Sequence, residues 1–466
     1  MKSQTRRYGV ALCAHAVLAA FLATAPAPVA NAQISLPPVS GPIDPTIDPL
    51  LRRTGDDLDT RTRRRVEKTQ ETVEELPSST DALLEPVDET LQTAGDLSEA
   101  AANTTAALVR TFVPDTDVAG QLIEKNVLVL LLNDAELELL AYGGFDILSQ
   151  RALSSIGLTM VTLQDPRGFA LSQTAGNLRQ AFPDGAVDYN HIYRLAADEP
   201  AGSASDTIVE EQDEPVQGPA LRIGMIDSAV APEHFSLVDI DVQTADFVNM
   251  DGSRPVSHGT AVASLIARSS ANRAEVLAAS VFFQVPNHQA GASTESLVAA
   301  LDWLAAEKVD VINMSLSGPS NALLERALAE LAKNGPPVVA AVGNNGPSGE
   351  PLYPAAYENV IGVTATDRNK KIYRNANRGP HVDFAALGVN VKVADAGGGW
   401  RVESGTSMAS PVVAVVVAEA LQSHDVNTAA LVEMLGSNAE DLGRKGFDPV
   451  FGYGLVTAPP LLLSGN

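Results

Sequence analysis

The feature that most constrains this chain is the stretch 221–460, where short apolar strands alternate with helical segments. Strand candidates are 221–226, 276–281, 309–314, 338–342 and 360–365. Unbroken runs of Val, Ile, Leu and Ala suit strands buried on both faces, and the amphipathic helices between them supply the covers. The expected fold is α/β, a mostly parallel sheet with helices on both faces. Functional groups in such sheets gather at the carboxyl ends of the strands. A 466-residue chain with 45% hydrophobic residues can bury a sizeable core, and its length predicts two or three units.

A second pattern precedes this stretch. Residues 126–132 (NVLVLLL) read as a buried strand and 135–141 as a short helix. Segments 145–149 and 159–163 read as strands, 171–182 as a helix and 186–193 as a last strand. This β-α-β-β-α-β order predicts a small ferredoxin-like α+β domain over 124–195. Residues 196–220, rich in Ala, Ser, Gly, Asp and Glu, read as an exposed acidic linker and a processing region. Upstream, 33–123 reads as a Pro-rich linker followed by a polar arm, helical or disordered, too sparse in apolar residues for its own core.

The first 32 residues have the build of an export signal. Lys2, Arg6 and Arg7 make a basic start, an apolar run follows, and Ala30-Asn31-Ala32 offers small residues for cleavage. The run is short for a bilayer span, so the expectation is a secreted or cell-envelope protein with no stable membrane span once the signal is removed. The one cysteine, Cys13, lies inside this segment, which leaves no disulfide or thiol nucleophile downstream. A net charge of -25 argues against nucleic acid and anionic membrane surfaces as partners.

Peptide-bond cleavage needs a nucleophile, a base, an orienting carboxylate and donors for the oxyanion. Asp227 ends the first strand of the α/β stretch, where a carboxylate can face a crevice. His258 lies in Ser257-His258-Gly259-Thr260, ahead of small apolar residues that open a helix. Ser407 lies in Gly405-Thr406-Ser407-Met408-Ala409-Ser410-Pro411, at the start of a helix expected from Met408 towards Gln422. A helix N-terminus favours negative charge forming beside it. Pro411 then falls in the first turn, where a missing N–H costs nothing. Asn344 follows Val342-Gly343 after a strand and can aim an amide at the oxyanion. Each motif alone also fits a cap, a turn or a core histidine; together they carry the chemistry.

These motifs resemble the subtilase family of serine peptidases, which carries an Asp after an apolar strand, then His-Gly-Thr, a substrate segment, an oxyanion Asn and Gly-Thr-Ser-Met-Ala-x-Pro in this order. The resemblance covers about half the chain. It implies a subtilisin-like catalytic domain over 221–460 with Asp227, His258 and Ser407 as the triad. It further implies Asn344 as an oxyanion donor, and Ser315, Leu316, Ser317 and Gly318 as the segment that binds an extended protein or peptide substrate. The domain at 124–195 resembles the family's propeptides, which implies a proenzyme whose own N-terminal domain acts as intramolecular inhibitor. The chemistry calls for no cofactor. Calcium is common in the family, and no acidic loop here is specific enough to assign ligands. Three positions depart from the family pattern: Ala229, Ser317 and Val342 replace residues that are usually glycine, glycine and alanine. The alternative from another class is a catalytically silent surface protein that binds partners through its N-terminal half.

Overall fold

The computed structural model describes residues 109–196, 218–424 and 426–458. The expected export signal at 1–32, the Pro-rich linker and polar arm up to residue 108, and the linker residues 197–217 lie outside the described residues.

The N-terminal part comprises β1 (Pro114–Thr116), β2 (Leu122–Leu132), α1 (Asp134–Leu140), β3 (Asp146–Leu153), β4 (Leu158–Gln164), α2 (Leu171–Ala181) and β5 (Ala186–Leu195). Its strands pair antiparallel in the order β3-β4-β2-β5, with β1 beside β2. From β2 onward the expected β-α-β-β-α-β succession is present. Side chains alternate across a strand, which explains the unbroken apolar run in β2. Leu128, Leu130 and Leu132 face Leu140, Leu178 and Phe182 on the helix side. Val129 and Leu131 face the opposite way, into a core shared with Leu297, Leu301 and Leu323 of the downstream half. The second face of this small sheet is therefore apolar and buried by docking rather than by its own helices.

The boundary expected at residue 124 is too late. Arg110 bridges Met250 in a short parallel pairing, and β1 pairs with the start of β2. Phe112 is buried against Phe283, Met250 and Val248. Leu108, Val109, Phe112 and Val113 form a short apolar patch with no sustained strand or helix period, so residues 109–123 read as part of the arm although they anchor the domain.

The downstream half contains β6 (Leu221–Asp227), β7 (Asp241–Asp246), α3 (Ser257–Ser269), β8 (Ala274–Ser280), β9 (Phe282–Phe283), β10 (Gly291–Ser293) and α4 (Thr294–Ala306). It continues with β11 (Val311–Met314), β12 (Leu316–Ser317), α5 (Ala322–Asn334), β13 (Val338–Ala341), β14 (Val360–Thr366) and β15 (Phe384–Leu387). A hairpin of β16 (Val391–Ala394) and β17 (Trp400–Glu403) leads into α6 (Thr406–Leu421) and α7 (Thr428–Gly436). Seven strands form one sheet in the order β15-β14-β13-β11-β6-β8-β7, each neighbouring pair parallel. Helices α3 and α6 cover one face and α4 and α5 the other, as the α/β reading expects. Strand order reverses at β6: β7 and β8 lie to one side, β11 and its successors to the other. Crevices open at such a reversal, beyond the strands' carboxyl ends.

The two parts share a sheet. Strand β5 pairs antiparallel with β10 on one side and β12 on the other, so the last residues of the small domain run between two segments of the larger one. Helices α4 and α5 pack against β5. Asp302 on α4 accepts hydrogen bonds from the backbone N–H groups of Ser155 (2.8 Å) and Ile156 (3.1 Å) in the β3–β4 turn.

Candidate active site

Asp227 and His258 pair at the carboxyl end of β6, where strand order reverses, and Asn344 and the Ser407 N–H both reach the carbonyl oxygen of Ala196. Asp227 ends β6 and is fully buried. Its Oδ1 accepts from the Ser228 N–H (2.6 Å) and faces Nδ1 of His258 at 2.8 Å. His258 sits in the first turn of α3, whose start presses on the turn after β6: the Gly259 N–H donates to Ser228 Oγ at 2.7 Å. A Cβ on Gly259 would lie 2.7 Å from the Ala229 carbonyl oxygen. Close approach of two backbones, rather than a special turn, is what requires glycine there.

The imidazole of His258 is almost wholly buried and its pKa is raised. Burial opposes the positive charge, but the Asp227 carboxylate and its hydrogen bond outweigh that, with help from Glu403 and against Arg401. Neither Glu403 nor Arg401 stands out in the sequence. They pair with each other at 2.5 Å, and the Arg401 guanidinium also donates to the Ser257 carbonyl. The second ring nitrogen, Nε2, and the hydroxyl of Ser407 are both buried and, among the described residues, both without a hydrogen-bond partner.

Ser407 lies in the first turn of α6, which starts at Thr406, two residues ahead of the sequence expectation. Pro411 accordingly falls inside the helix and not in its first turn. Proline has no N–H to give the carbonyl four residues back, and that carbonyl belongs to Ser407. The hydroxyl of Ser315 donates to it instead, at 2.9 Å, and Asn313 Nδ2 donates in turn to Ser315 Oγ at 2.9 Å. The Ser410 hydroxyl and Asn313 Oδ1 close the loop. This buried network ties the end of β11 to the turn carrying Ser407. The sequence offered the Pro as a signal, but not the partner.

Asn344 is oriented by Thr406, another residue the sequence reading passed over. Its Oδ1 accepts from the Thr406 N–H (3.2 Å) and hydroxyl (3.0 Å), which frees Nδ2 to point into the crevice. There it donates to the carbonyl oxygen of Ala196 at 2.7 Å, and the Ser407 N–H lies 3.3 Å from the same oxygen. A Cβ on Gly405 would sit 2.9 Å from that oxygen, 3.1 Å from Asn344 Nδ2 and 3.2 Å from Ser407 Oγ. All three groups thus converge beside one glycine.

Ala196 belongs to the end of the N-terminal part. Its N–H reaches the Ser315 carbonyl at 3.3 Å, Leu195 pairs with Leu316, and Arg194 pairs with Ser317. Gly318 exchanges backbone hydrogen bonds with Tyr353, and the ring of Tyr193 lies over its Cα. Of the expected substrate segment, 315–317 run alongside 194–196 and Gly318 underlies Tyr193. Among the described residues no group of three or more His, Cys, Asp or Glu side chains is arranged to hold a metal ion, and no helix is long and apolar enough to cross a membrane.

A family model described as "Subtilase family" matches residues 218–454. The chain is 29% identical over 362 residues to the minor extracellular protease Epr of Bacillus subtilis, a match covering 72% of this chain and 54% of that protein. It is 32% identical over 253 residues to subtilisin DY of Bacillus licheniformis, covering 52% of this chain and 90% of that protein. Among solved structures, fervidolysin from Fervidobacterium pennivorans superposes with a TM-score of 0.60 at 19% identity, covering 77% of this chain and 63% of that one. The chain thus spans little more than half of Epr and under two thirds of fervidolysin.

Proposed function

The chain belongs to the subtilase family, and from that premise we propose that it is an exported serine endopeptidase made as a proenzyme. Ser407 Oγ attacks the scissile carbonyl carbon while His258 Nε2 takes its proton. Asp227 holds the ring through Nδ1 and stabilises the imidazolium. The Asn344 amide and the Ser407 N–H hold the oxyanion. As the C–N bond breaks, His258 returns the proton to the leaving amine, leaving an ester on Ser407. Water then attacks that ester, giving its proton to His258, and the carboxylate product departs as Ser407 recovers its hydrogen. The reaction needs no cofactor from outside the chain.

The observation that carries this reading is the Ala196 carbonyl oxygen, 2.7 Å from Asn344 Nδ2 and 3.3 Å from the Ser407 N–H, on a strand paired with 315–317. That is how a peptide strand being cut would lie, with backbone pairing supplying affinity and side-chain pockets selectivity. In this reading the enzyme cuts itself between Ala196 and Ala197, and residues up to Ala196 stay behind as an inhibitor. Residues 1–32 act as the export signal. The test is a tagged fluorophosphonate applied to matured protein. Label is expected on the peptide containing Ser407 and nowhere in Ser407→Ala; an unlabelled wild type would favour a silent binding protein.

Two quantitative outcomes follow. Asn344→Ala should lower kcat on peptide substrates by about 10²–10³-fold with little change in KM, a range set by subtilisin itself; steady-state kinetics decides it. Glu403→Gln should shift the acidic limb of kcat/KM to lower pH. Glu403 helps to raise the His258 pKa, and His258 must be neutral to accept the proton. Removing that negative charge, with Arg401 left uncompensated, deprotonates the base at lower pH. A pH–rate profile that stays put or moves up contradicts the assignment.

A further inference from the structure

We infer that the pocket for the side chain on the acyl side of the cut bond is closed down by Leu352 and Ser317, so that the enzyme cleaves after small residues, Ala, Gly or Ser. The inference rests on the peptidase reading above and adds its substrate class.

The residue whose carbonyl lies between Asn344 and Ser407 is an alanine, almost fully buried. Its N–H is held by Ser315 and its oxygen by Asn344, so it lies between the strand segment 315–318 and the turn Val342-Gly343-Asn344. A third segment borders the same space. Tyr353 is locked to Gly318 by two backbone hydrogen bonds of 2.8 and 3.0 Å, which sets Leu352 beside the turn. A Cβ on Gly343 would be only 2.5 Å from Leu352 Cδ1 and 3.4 Å from Ser317 Oγ. Those two side chains thus converge over the residue directly ahead of Asn344, where a longer substrate side chain would have to enter.

Gly343 has φ +94, a conformation other residues rarely adopt, so the turn itself cannot readily be remodelled. Leu352 is only partly buried and Ser317 lies at the pocket's wall, so either can be trimmed. The rest of the strand is seated differently: Arg194 is exposed and Leu195 partly so. Tyr193 is fully buried, its hydroxyl donating to the Pro319 carbonyl at 2.8 Å. A substrate that copies Tyr193-Arg194-Leu195 therefore keeps every other contact while the last residue is varied.

The experiment uses the matured protein and acyl-Tyr-Arg-Leu-X-anilides with X as Gly, Ala, Ser, Leu or Phe. The expected kcat/KM with X as Ala exceeds that with X as Phe by at least 100-fold, since a single methylene in a closed pocket is worth about 10–200-fold. Leu352→Gly should raise the Phe-to-Ala ratio at least tenfold, and fluorophosphonate label on its Ser407 reports that the variant is folded. Should a variant lose all activity, the wild-type profile decides alone. A wild type that cuts Phe or Leu as well as Ala overturns the inference and leaves the peptidase reading standing. A wild type that labels with fluorophosphonate but cuts only large residues does the same. Failure to cut any member, with no label on Ser407, overturns both.

Discussion

Ser407→Ala is expected to lower kcat on peptide substrates by about 10⁶-fold, a range set by the subtilisins themselves. Loss on this scale would follow because the attacking atom, its base and the base's orienting carboxylate act as one unit. His258 already holds its Nδ1 hydrogen bond to Asp227, and its Nε2 has no other partner among the described residues. Removing the hydroxyl deprives that nitrogen of the proton it would accept. Asn344 and the backbone N–H of residue 407 remain, so residual catalysis above water is expected from oxyanion stabilisation alone. Thermal unfolding should change little, because Ser407 Oγ makes no hydrogen bond among the described residues. A variant within tenfold of wild type would remove Ser407 from the chemistry.

Arg110→Ala is expected to weaken the hold of the N-terminal domain on the catalytic domain by about 10²–10⁴-fold. Arg110 donates to Glu124 through two bonds of 3.1 Å and to Glu295, on the catalytic side, at 2.5 Å. Ser149 Oγ and Asn249 Nδ2 complete the surroundings of Glu295, which is buried in the docked state. Removing one partner of a buried pair leaves a desolvated charge and costs roughly 3–5 kcal/mol. The measurement is the rate at which activity appears after self-cleavage, together with the inhibition constant of the released domain. Glu295→Gln in the Arg110→Ala background should restore part of the affinity, because no buried charge is then stranded. Acid should loosen the wild-type complex as well. Burial raises the Glu295 pKa, but Arg110 and the Ser149 hydroxyl more than offset it, so the net shift is downward. The pair's stabilisation is complete above the ordinary carboxylate range and is lost as pH falls through the depressed value.

Much of this site was legible because its residues stand at the ends of regular elements. Asp227 closes a strand of buried apolar residues, and His258 and Ser407 each open a helix of small ones. Each can be located by where hydrophobic period begins or stops. The N-terminal domain was legible for the same reason, and the unbroken run 126–132 carried a further message: a strand apolar on both faces must be covered on both. What covers the second face could not be read, because it lies on α4 and α5, more than a hundred residues away.

The unread parts are contacts of that long-range kind. Arg110 reaches Glu295 across 185 positions, and a single Arg with no acidic residue beside it in sequence gives no sign of a distant partner. Thr406 orients Asn344 from 62 positions away. Pro411 was visible, but its effect, freeing the Ser407 carbonyl for Ser315, depends on where α6 begins, and helix starts are uncertain by a residue or two. Ser317 stood out in the sequence as a replacement of the usual glycine; Leu352 did not, because only the pairing of Gly318 with Tyr353 brings it to the pocket.

The most direct test of the whole account is the intact mass of purified wild-type protein and of Ser407→Ala, followed over time. Wild type alone is expected to separate into two pieces, one ending at Ala196 and one beginning at Ala197, while Ser407→Ala stays whole. An uncut wild type, a cut elsewhere in the chain, or the same cut in both proteins would contradict it.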